Sequence, residues 1–125
     1  MGFLREMAVR RYIRSKDSEI RISEDYIGKL NMITTWTIDN AIENSYERNK
    51  SILDKEDIED ISFKIEEPTY ILNSRVCKTY ANGEGYRIKK EFLEKLNNTI
   101  LHIIEESIKY ARKNNRNTLL ENDIE

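Results

Sequence analysis

Arginines concentrate near the start of this 125-residue sequence. The first sixteen residues carry five basic side chains against the single acid Glu6, a local charge of +4. These basic side chains are Arg5, Arg10, Arg11, Arg14 and Lys16. On a helix, Arg10 and Arg14 share one face while Val9 and Ile13 share another. Guanidinium groups clustered in this way bind phosphate, so Arg10, Arg11 and Arg14 are candidate contacts with a polyanion; a solvated helix face is the alternative interpretation.

Two further arginines, Arg21 and Arg87, occupy matching positions in an internal repeat. With a shift of 66, the alignment pairs Arg21-Ile22 with Arg87-Ile88, Leu30-Asn31 with Leu96-Asn97, and Asp57-Ile58 with Asp123-Ile124. Upstream the shift becomes 67, so that Val9 meets Val76. The sequence therefore predicts two copies of one structural unit.

Each copy is predicted to hold a short helix, a long helix and a short last turn of helix, joined by two loops. Apolar and small residues recur every three or four positions along both long helices, which is typical of one buried face. The buried faces are Ile27, Leu30, Thr34, Ile38, Ala41 and Ser45 in the first copy, and Leu93, Leu96, Ile100, Ile104, Ser107 and Ala111 in the second. Ser23 is the predicted N-cap of the first long helix, and Asp54 caps a short third helix through Ile61. Trp36 and its repeat partner His102 fall at the helix midpoints, where we expect core packing.

Composition narrows the functional classes. With 38% apolar and 35% charged residues, four glycines and one proline, the chain is typical of a compact and mostly helical protein. Its net charge of −2 argues against a polycation that adheres to any anion, so basic surface must be local. We expect no membrane span, and a cytoplasmic location because no signal-like leader opens the chain. A single histidine and a single cysteine, Cys77, predict no metal site, no cofactor and no catalytic set, hence no enzyme.

Both loops resemble those of one family. Residues 111–124 (ARKNNRNTLLENDI) are similar to the second loop and third helix of archaeal histones, and residues 21–25 (RISED) are similar to the family's first loop. Because both loops occur twice and in order, the chain resembles a tandem, or doublet, histone. In both copies 36 positions separate the loop-one arginine from the loop-two aspartate, a spacing that resembles a short-helix subgroup of archaea and bacteria.

The resemblance implies an all-helical fold of two histone units, residues 1–66 and 67–125, paired within one chain as a pseudodimer. Loop one of each unit would then lie beside loop two of the other. The residues support this arrangement independently, because neither buried face can be covered within one copy of about sixty residues.

The resemblance also implies roles for individual residues. Arg21 and Arg87 match the arginine that contacts phosphates or the minor groove of double-stranded DNA; a solvated loop arginine is the alternative interpretation. Further DNA contacts are expected from the second loops: Lys50, Ser51, Arg116, Asn117 and Thr118. Arg116 with Asp123, and Lys50 with Asp57, match a structural clamp between the second loop and the third helix. For both pairs, loop stabilisation alone is the favoured interpretation.

We therefore expect sequence-independent DNA binding and nucleoid organisation, with self-association of two chains and without a small-molecule substrate. The alternative is a histone-fold interaction module with little DNA affinity. That alternative predicts a protein interface at exposed apolar residues such as Tyr46, Phe63 or Tyr70.

Overall fold

A computed structural model describes residues 2–60 and 69–124 of the chain. Four helices lie in this part: α1 Glu6–Lys16, α2 Glu24–Glu47, α3 Ser74–Gly83 and α4 Lys90–Lys113. Four two-residue strands accompany them: β1 Arg21–Ile22, β2 Ile52–Leu53, β3 Arg87–Ile88 and β4 Thr118–Leu119. The predicted boundary between the copies at residue 66, together with Ile61 and Phe63, lies outside the described residues.

The ends of the long helices follow from local side chains. Ser23 Oγ accepts a hydrogen bond from the backbone N–H of Tyr26 at 3.1 Å, which confirms the predicted N-cap of α2. Lys89 stands at the corresponding position before α4 and makes no side-chain cap. Beyond the other ends, Asn49 and Asn115 adopt left-handed backbone angles, with φ of 59° and 56°. Asparagine tolerates this conformation, so both long helices stop at equivalent positions.

The predicted buried faces of the long helices are confirmed, because every residue assigned to them is buried. Trp36 contradicts the prediction: its side chain is 52% exposed. Helix α2 does pack against α4, but residue 36 lies on the side of the helix turned away from the buried stripe. Cys77, by contrast, is buried in α3 as a small apolar filler, and burial raises the pKa of its thiol to about 11.

The predicted third helix through Ile61 is too long. After β2 the chain forms one turn of 3-10 helix, Lys55–Asp57, and its counterpart after β4 is Glu121–Asp123. Asp54 caps the first turn as predicted, and its own backbone N–H donates to Asp57 at 2.8 Å. This reciprocal capping closes the turn after three residues, and Ile58 returns to an extended conformation.

Elements of the two halves interlock. Strand β1 pairs with β4, and β2 pairs with β3, both in parallel. Helix α1 packs against α4, and each 3-10 turn packs against the long helix of the other half. Lys29 Nζ donates to the Ile124 carbonyl at 3.4 Å, and Lys95 Nζ donates to the Ile58 carbonyl at 2.6 Å. These contacts hold together residues 95 positions apart at one end of the molecule and 37 positions apart at the other.

The starts of the two short helices also meet. An antiparallel bridge joins Leu4 to Leu72. Two asparagines at matching repeat positions support it. Asn31 Oδ1 accepts from the Leu4 N–H at 3.1 Å, and Asn97 Oδ1 accepts from the Ile71 N–H at 2.8 Å. Within the described residues, no helix is both long and apolar enough to cross a membrane.

Candidate nucleic-acid interface

At one end of the molecule the structure brings three predicted site residues together. Arg21 is the register partner of Thr118, and its backbone N–H donates to the Asn117 carbonyl at 2.7 Å. Further along the same strand pair, the Ser23 N–H donates to the Leu119 carbonyl at 3.1 Å. The Arg21 side chain is exposed and makes no ion pair with the described residues. The backbone of Arg21 is therefore fixed beside the second loop of the other half, while its guanidinium stays exposed to solvent.

The opposite end repeats this arrangement with different residues. The Arg87 backbone N–H donates to the Ser51 carbonyl at 3.1 Å, and the Lys89 N–H donates to Leu53 at 3.0 Å. Arg87 is exposed as well, without an ion pair among the residues described. The cations around it are neutralised: Lys89 Nζ lies 3.0 Å from Asp54, and Lys50 Nζ lies 2.9 Å from Glu56.

Arg116 and Asp123 contact each other through both arms of the guanidinium. Arg116 Nη1 donates to Asp123 Oδ2 at 2.9 Å, and Nη2 donates to the other carboxylate oxygen. The Asp123 side chain is fully buried, and it raises the pKa of Arg116. Its carboxylate also accepts the Leu120 N–H, which fixes the second loop against the last turn. Most of Arg116 is therefore engaged inside the chain.

The predicted pair of Lys50 with Asp57 is wrong. Arg48 takes that position instead: its Nη2 lies 3.1 Å from Asp57 Oδ1, while its Nη1 lies 2.9 Å from Glu56. Among the described residues, the Lys50 ammonium forms an ion pair with Glu56 and not with Asp57. A planar guanidinium spans two neighbouring carboxylates from outside the turn, whereas a lysine ammonium is a single point of charge. In the first copy, the arginine that contacts the buried aspartate therefore lies two positions before the residue that aligns with Arg116.

The structure reveals a link that the sequence did not predict. Arg112 Nε and Nη2 donate to the two carboxylate oxygens of Asp17 at 2.5 and 2.8 Å. The same guanidinium donates to the Asn117 side-chain oxygen. Arg112 beside Asp17 holds the pKa of that carboxyl below its usual value. Because 95 positions separate Asp17 from Arg112, no local pattern could have indicated the pair.

The N-terminal arginines divide into two groups. Arg10 is only 20% exposed and lies 3.4 Å from Glu6 and 3.6 Å from Glu24, so it is largely neutralised, against the prediction of a free contact. Arg11 and Arg14 are exposed on α1 and form no ion pair within residues 2–60 and 69–124. They remain available to an external anion.

Two exposed arginines near the Leu4–Leu72 bridge were not predicted as site residues. Arg5 immediately precedes α1, and its backbone N–H donates to the Ile71 carbonyl at 2.7 Å. Arg75 lies in the first turn of α3. Arg5 belongs to the basic N-terminal segment, whereas nothing in the sequence around Arg75 marks it as a site residue. The Leu4–Leu72 bridge sets the residues that lead into α3 beside those that lead into α1.

A short helix, a long helix and a closing turn, present twice and joined through their loops, define a histone-like fold. The structure is similar to the crystal structure of the histone from Methanopyrus kandleri, with a TM-score of 0.65 over 96% of this chain and 89% of that chain. The two sequences are 18% identical, so the likeness shows the fold alone. No protein-family model matches the chain, and no curated protein matches it.

Proposed function

We propose that the chain is a doublet histone, with units 1–66 and 67–125 paired within one polypeptide. The strand pairs of β1 with β4 and of β2 with β3 support this proposal, because each joins a first loop of one half to the second loop of the other. The matched roles of Asn31 and Asn97, and of Lys29 and Lys95, support it further. The short spacing of 36 residues favours the short-helix subgroup.

Its function, in this proposal, is sequence-independent binding of double-stranded DNA in a cytoplasmic nucleoid. The observation that carries it is the exposed loop arginine at each end, Arg21 and Arg87, fixed by its backbone beside a loop with polar groups. Because its backbone is already ordered, such an arginine has only its side chain to order when it meets a phosphate or enters the minor groove. None of these contacts distinguishes one base pair from another.

The remaining candidates contribute unequally. Thr118, Ser51 and Asn117 supply donors beside the loop arginines, and Arg11 and Arg14 extend the contact along the phosphate backbone. Arg5 and Arg75 add charge near the start of the short helices. Three cations predicted from the sequence contribute less because acids inside the chain already neutralise them: Arg10, Lys50 and Arg116.

The test is the binding of a short fluorescent duplex, followed by anisotropy over a series of salt concentrations. Wild-type affinity is expected to fall steeply with salt, because bound lysines and arginines displace counterions. The double variant Arg21→Ala/Arg87→Ala is expected to bind more weakly and to lower the log-log salt slope by about 2, one for each lost phosphate contact.

A matched control is Lys109→Ala, compared with each single loop variant. Lys109 is an exposed cation of α4, outside the paired loops. Its loss is expected to leave DNA affinity nearly unchanged although the net charge changes equally. No binding by the wild type at low salt, or equal effects of Lys109→Ala and Arg87→Ala, would refute the proposed site.

A second candidate function is a histone-fold interaction module that binds protein. The exposure of Tyr46, at 74%, and of Trp36 favours it. Tyr70 is also partly exposed, with its hydroxyl 2.6 Å from Ser74 Oγ, and Phe63 lies outside the described residues. Absence of DNA binding in the experiment above, with the fold intact, would favour this second function.

A further inference from the structure

One guanidinium joins both loops at the end of the molecule that carries Arg21. Arg112 lies in the last turn of α4. Its Nε and Nη2 donate to the carboxylate of Asp17, in the first loop of one half. Its Nη1 donates to the Arg116 carbonyl at 3.4 Å and to the side-chain oxygen of Asn117, both in the second loop of the other half. We call these contacts of Arg112 the loop brace.

The loop brace reaches Arg21 from two sides. Asp17 orders the chain that leads to Arg21, because its Oδ1 accepts the Glu19 N–H at 3.2 Å and its carbonyl accepts the Ile20 N–H at 3.5 Å. From the second loop, the Asn117 carbonyl accepts the Arg21 N–H at 2.7 Å. The residues that Arg112 contacts therefore fix the backbone of Arg21 both along the chain and across the strand pair.

The opposite end of the molecule carries no such brace among the described residues. The shift of 66 aligns Arg112 with Tyr46, whose side chain is 74% exposed and makes no hydrogen bond to them. Glu84 follows α3 as Asp17 follows α1, at the C-cap position. It is exposed and forms no ion pair with the residues described. Arg87 thus lies at an end where the two loops are joined differently.

A looser contact joins the loops at that end. Lys89 Nζ lies 3.0 Å from Asp54, and the two side chains are 46% and 21% exposed. An ammonium is a single point of charge, whereas the planar guanidinium of Arg112 donates in fixed directions to two loops at once. The side chains of Arg112 and its acid Asp17 are less exposed, at 35% and 17%. The Arg21 end is therefore the more firmly ordered of the two.

We propose that Arg112 is a positioning residue of the DNA interface. It holds Arg21 and the second loop in the arrangement that meets DNA, and it does so without contacting DNA itself. Loops that move relative to each other present this arrangement only part of the time, and the apparent affinity falls by that fraction. The inference rests on the proposed DNA-binding function and assigns Arg112 to the Arg21 end, not to the Arg87 end.

The first test uses the opposite charges of the two partners. Arg112→Ala removes a positive charge and Asp17→Ala removes a negative one, but both break the loop brace. Each is expected to weaken binding of the fluorescent duplex about three- to tenfold, in the range typical of residues that share one hydrogen-bond network. Charge alone predicts tighter binding by Asp17→Ala, because a negative charge is lost. Unchanged or tighter binding by Asp17→Ala overturns the proposal.

The matched control is an exposed ion pair on the same helix. Lys109 Nζ lies 3.5 Å from Glu106, outside the paired loops. Lys109→Ala and Glu106→Ala change the net charge as the two brace variants do, and each is expected to leave DNA affinity nearly unchanged. Far-UV circular dichroism at the temperature of the binding experiment verifies that every variant is folded.

Double variants test whether Arg112 acts through Arg21. Added to Arg21→Ala, Arg112→Ala is expected to lose most of its effect, since the arginine that it positions is gone. Added to Arg87→Ala, it is expected to keep its full effect, because the two ends are separate. A guanidinium that bound phosphate directly would weaken binding by the same factor in both backgrounds. Equal factors therefore exclude the positioning role.

Amide hydrogen exchange of the free protein gives a readout that requires no DNA. Arg112→Ala is expected to speed exchange of the Arg21 and Ser23 N–H groups, which bond across β1 and β4, and to leave the Arg87 and Lys89 N–H groups unchanged. Equal acceleration at both ends indicates general destabilisation and overturns the proposal.

The two levels of the proposal fail in different ways. A wild type that binds no DNA refutes the proposed function, and this inference with it. Wild-type binding that Arg21→Ala weakens, combined with unchanged affinity and unchanged exchange in Arg112→Ala, refutes the inference alone.

Discussion

Arg48 and Lys50 illustrate how two cations in one short loop acquire different tasks. Asp57 is fully buried, and Arg48 is the charge that compensates it from the surface. Within the part of the chain that the structure describes, Lys50 forms its ion pair with Glu56, whose side chain is half exposed. Buried carboxylates depend on their partners far more than exposed ones do, because water no longer solvates them.

The two positions are therefore expected to respond differently to alanine. Arg48→Ala leaves Asp57 without its cation and is expected to lower the free energy of unfolding by about 1–2 kcal/mol. Lys50→Ala is expected to change it by less than about 0.5 kcal/mol. Urea denaturation followed by circular dichroism measures both, and equal losses would contradict the assignment of Arg48 to Asp57.

The Asp17–Arg112 pair predicts a pH dependence. Because Arg112 lowers the pKa of Asp17 in the folded state, the pair stabilises the protein above the ordinary pKa of 3.8, and this contribution is lost as pH falls through the lower folded value. The melting temperature of the wild type is thus expected to exceed that of Asp17→Asn at neutral pH. This difference in melting temperature is expected to become smaller at acidic pH. Arg112→Ala removes the same interaction and should show the same narrowing; a gap independent of pH would argue against the pair.

At the scale of elements, Asn31 and Asn97 tie the short helices to the long ones. Asn97 is buried and serves two backbone groups, accepting from Ile71 and donating to the Thr69 carbonyl at 2.8 Å. Asn31 is half-buried and accepts only one bond from outside its helix, at 3.1 Å. The repeat thus preserves the contact but strengthens it in the second half.

Alanine at these positions is expected to reveal that difference. Asn97→Ala leaves the buried Ile71 N–H without an acceptor and is expected to lower the free energy of unfolding by about 2–3 kcal/mol. The expected loss for Asn31→Ala is about 1 kcal/mol. Chemical denaturation of the two variants side by side measures the contrast. A larger loss for Asn31→Ala would be inconsistent with the hydrogen bonds described.

Helices were predictable from the sequence because their buried faces repeat with a fixed period, and the Ser23 cap is a local signal. The exposure of Trp36 could not be predicted, because a position at the midpoint of a helix does not indicate which side of the helix faces inward. The loop arginines could be identified from the repeat. The engagement of Arg10 by Glu24 and of Arg112 by Asp17 could not, because these pairs join elements whose approach depends on the whole fold.

At the scale of the whole molecule, the two halves depend on each other. Each of the four strands in the described residues has its partner in the other half, and α1 packs against α4. A polypeptide of residues 1–66 or 67–125 alone leaves its long helix with an uncovered apolar face. Neither is expected to be a folded monomer.

Separate expression of the two polypeptides tests this dependence. Mixing them is expected to produce helical circular dichroism and a one-to-one complex by sedimentation. A half that is monomeric and unfolds cooperatively by itself would contradict the proposed intramolecular pairing and indicate two independent domains.

The two strand pairs also differ in how much chain each must close. Ile52 and Arg87 are 35 positions apart, whereas Arg21 and Thr118 are 97 apart. Closing the longer loop costs about 0.9 kcal/mol more in chain entropy. We therefore expect the β2–β3 end to form earlier during folding. The β1–β4 end, which carries Arg21, then forms last, so the length of the connecting chain sets an order of assembly between two ends that share one architecture.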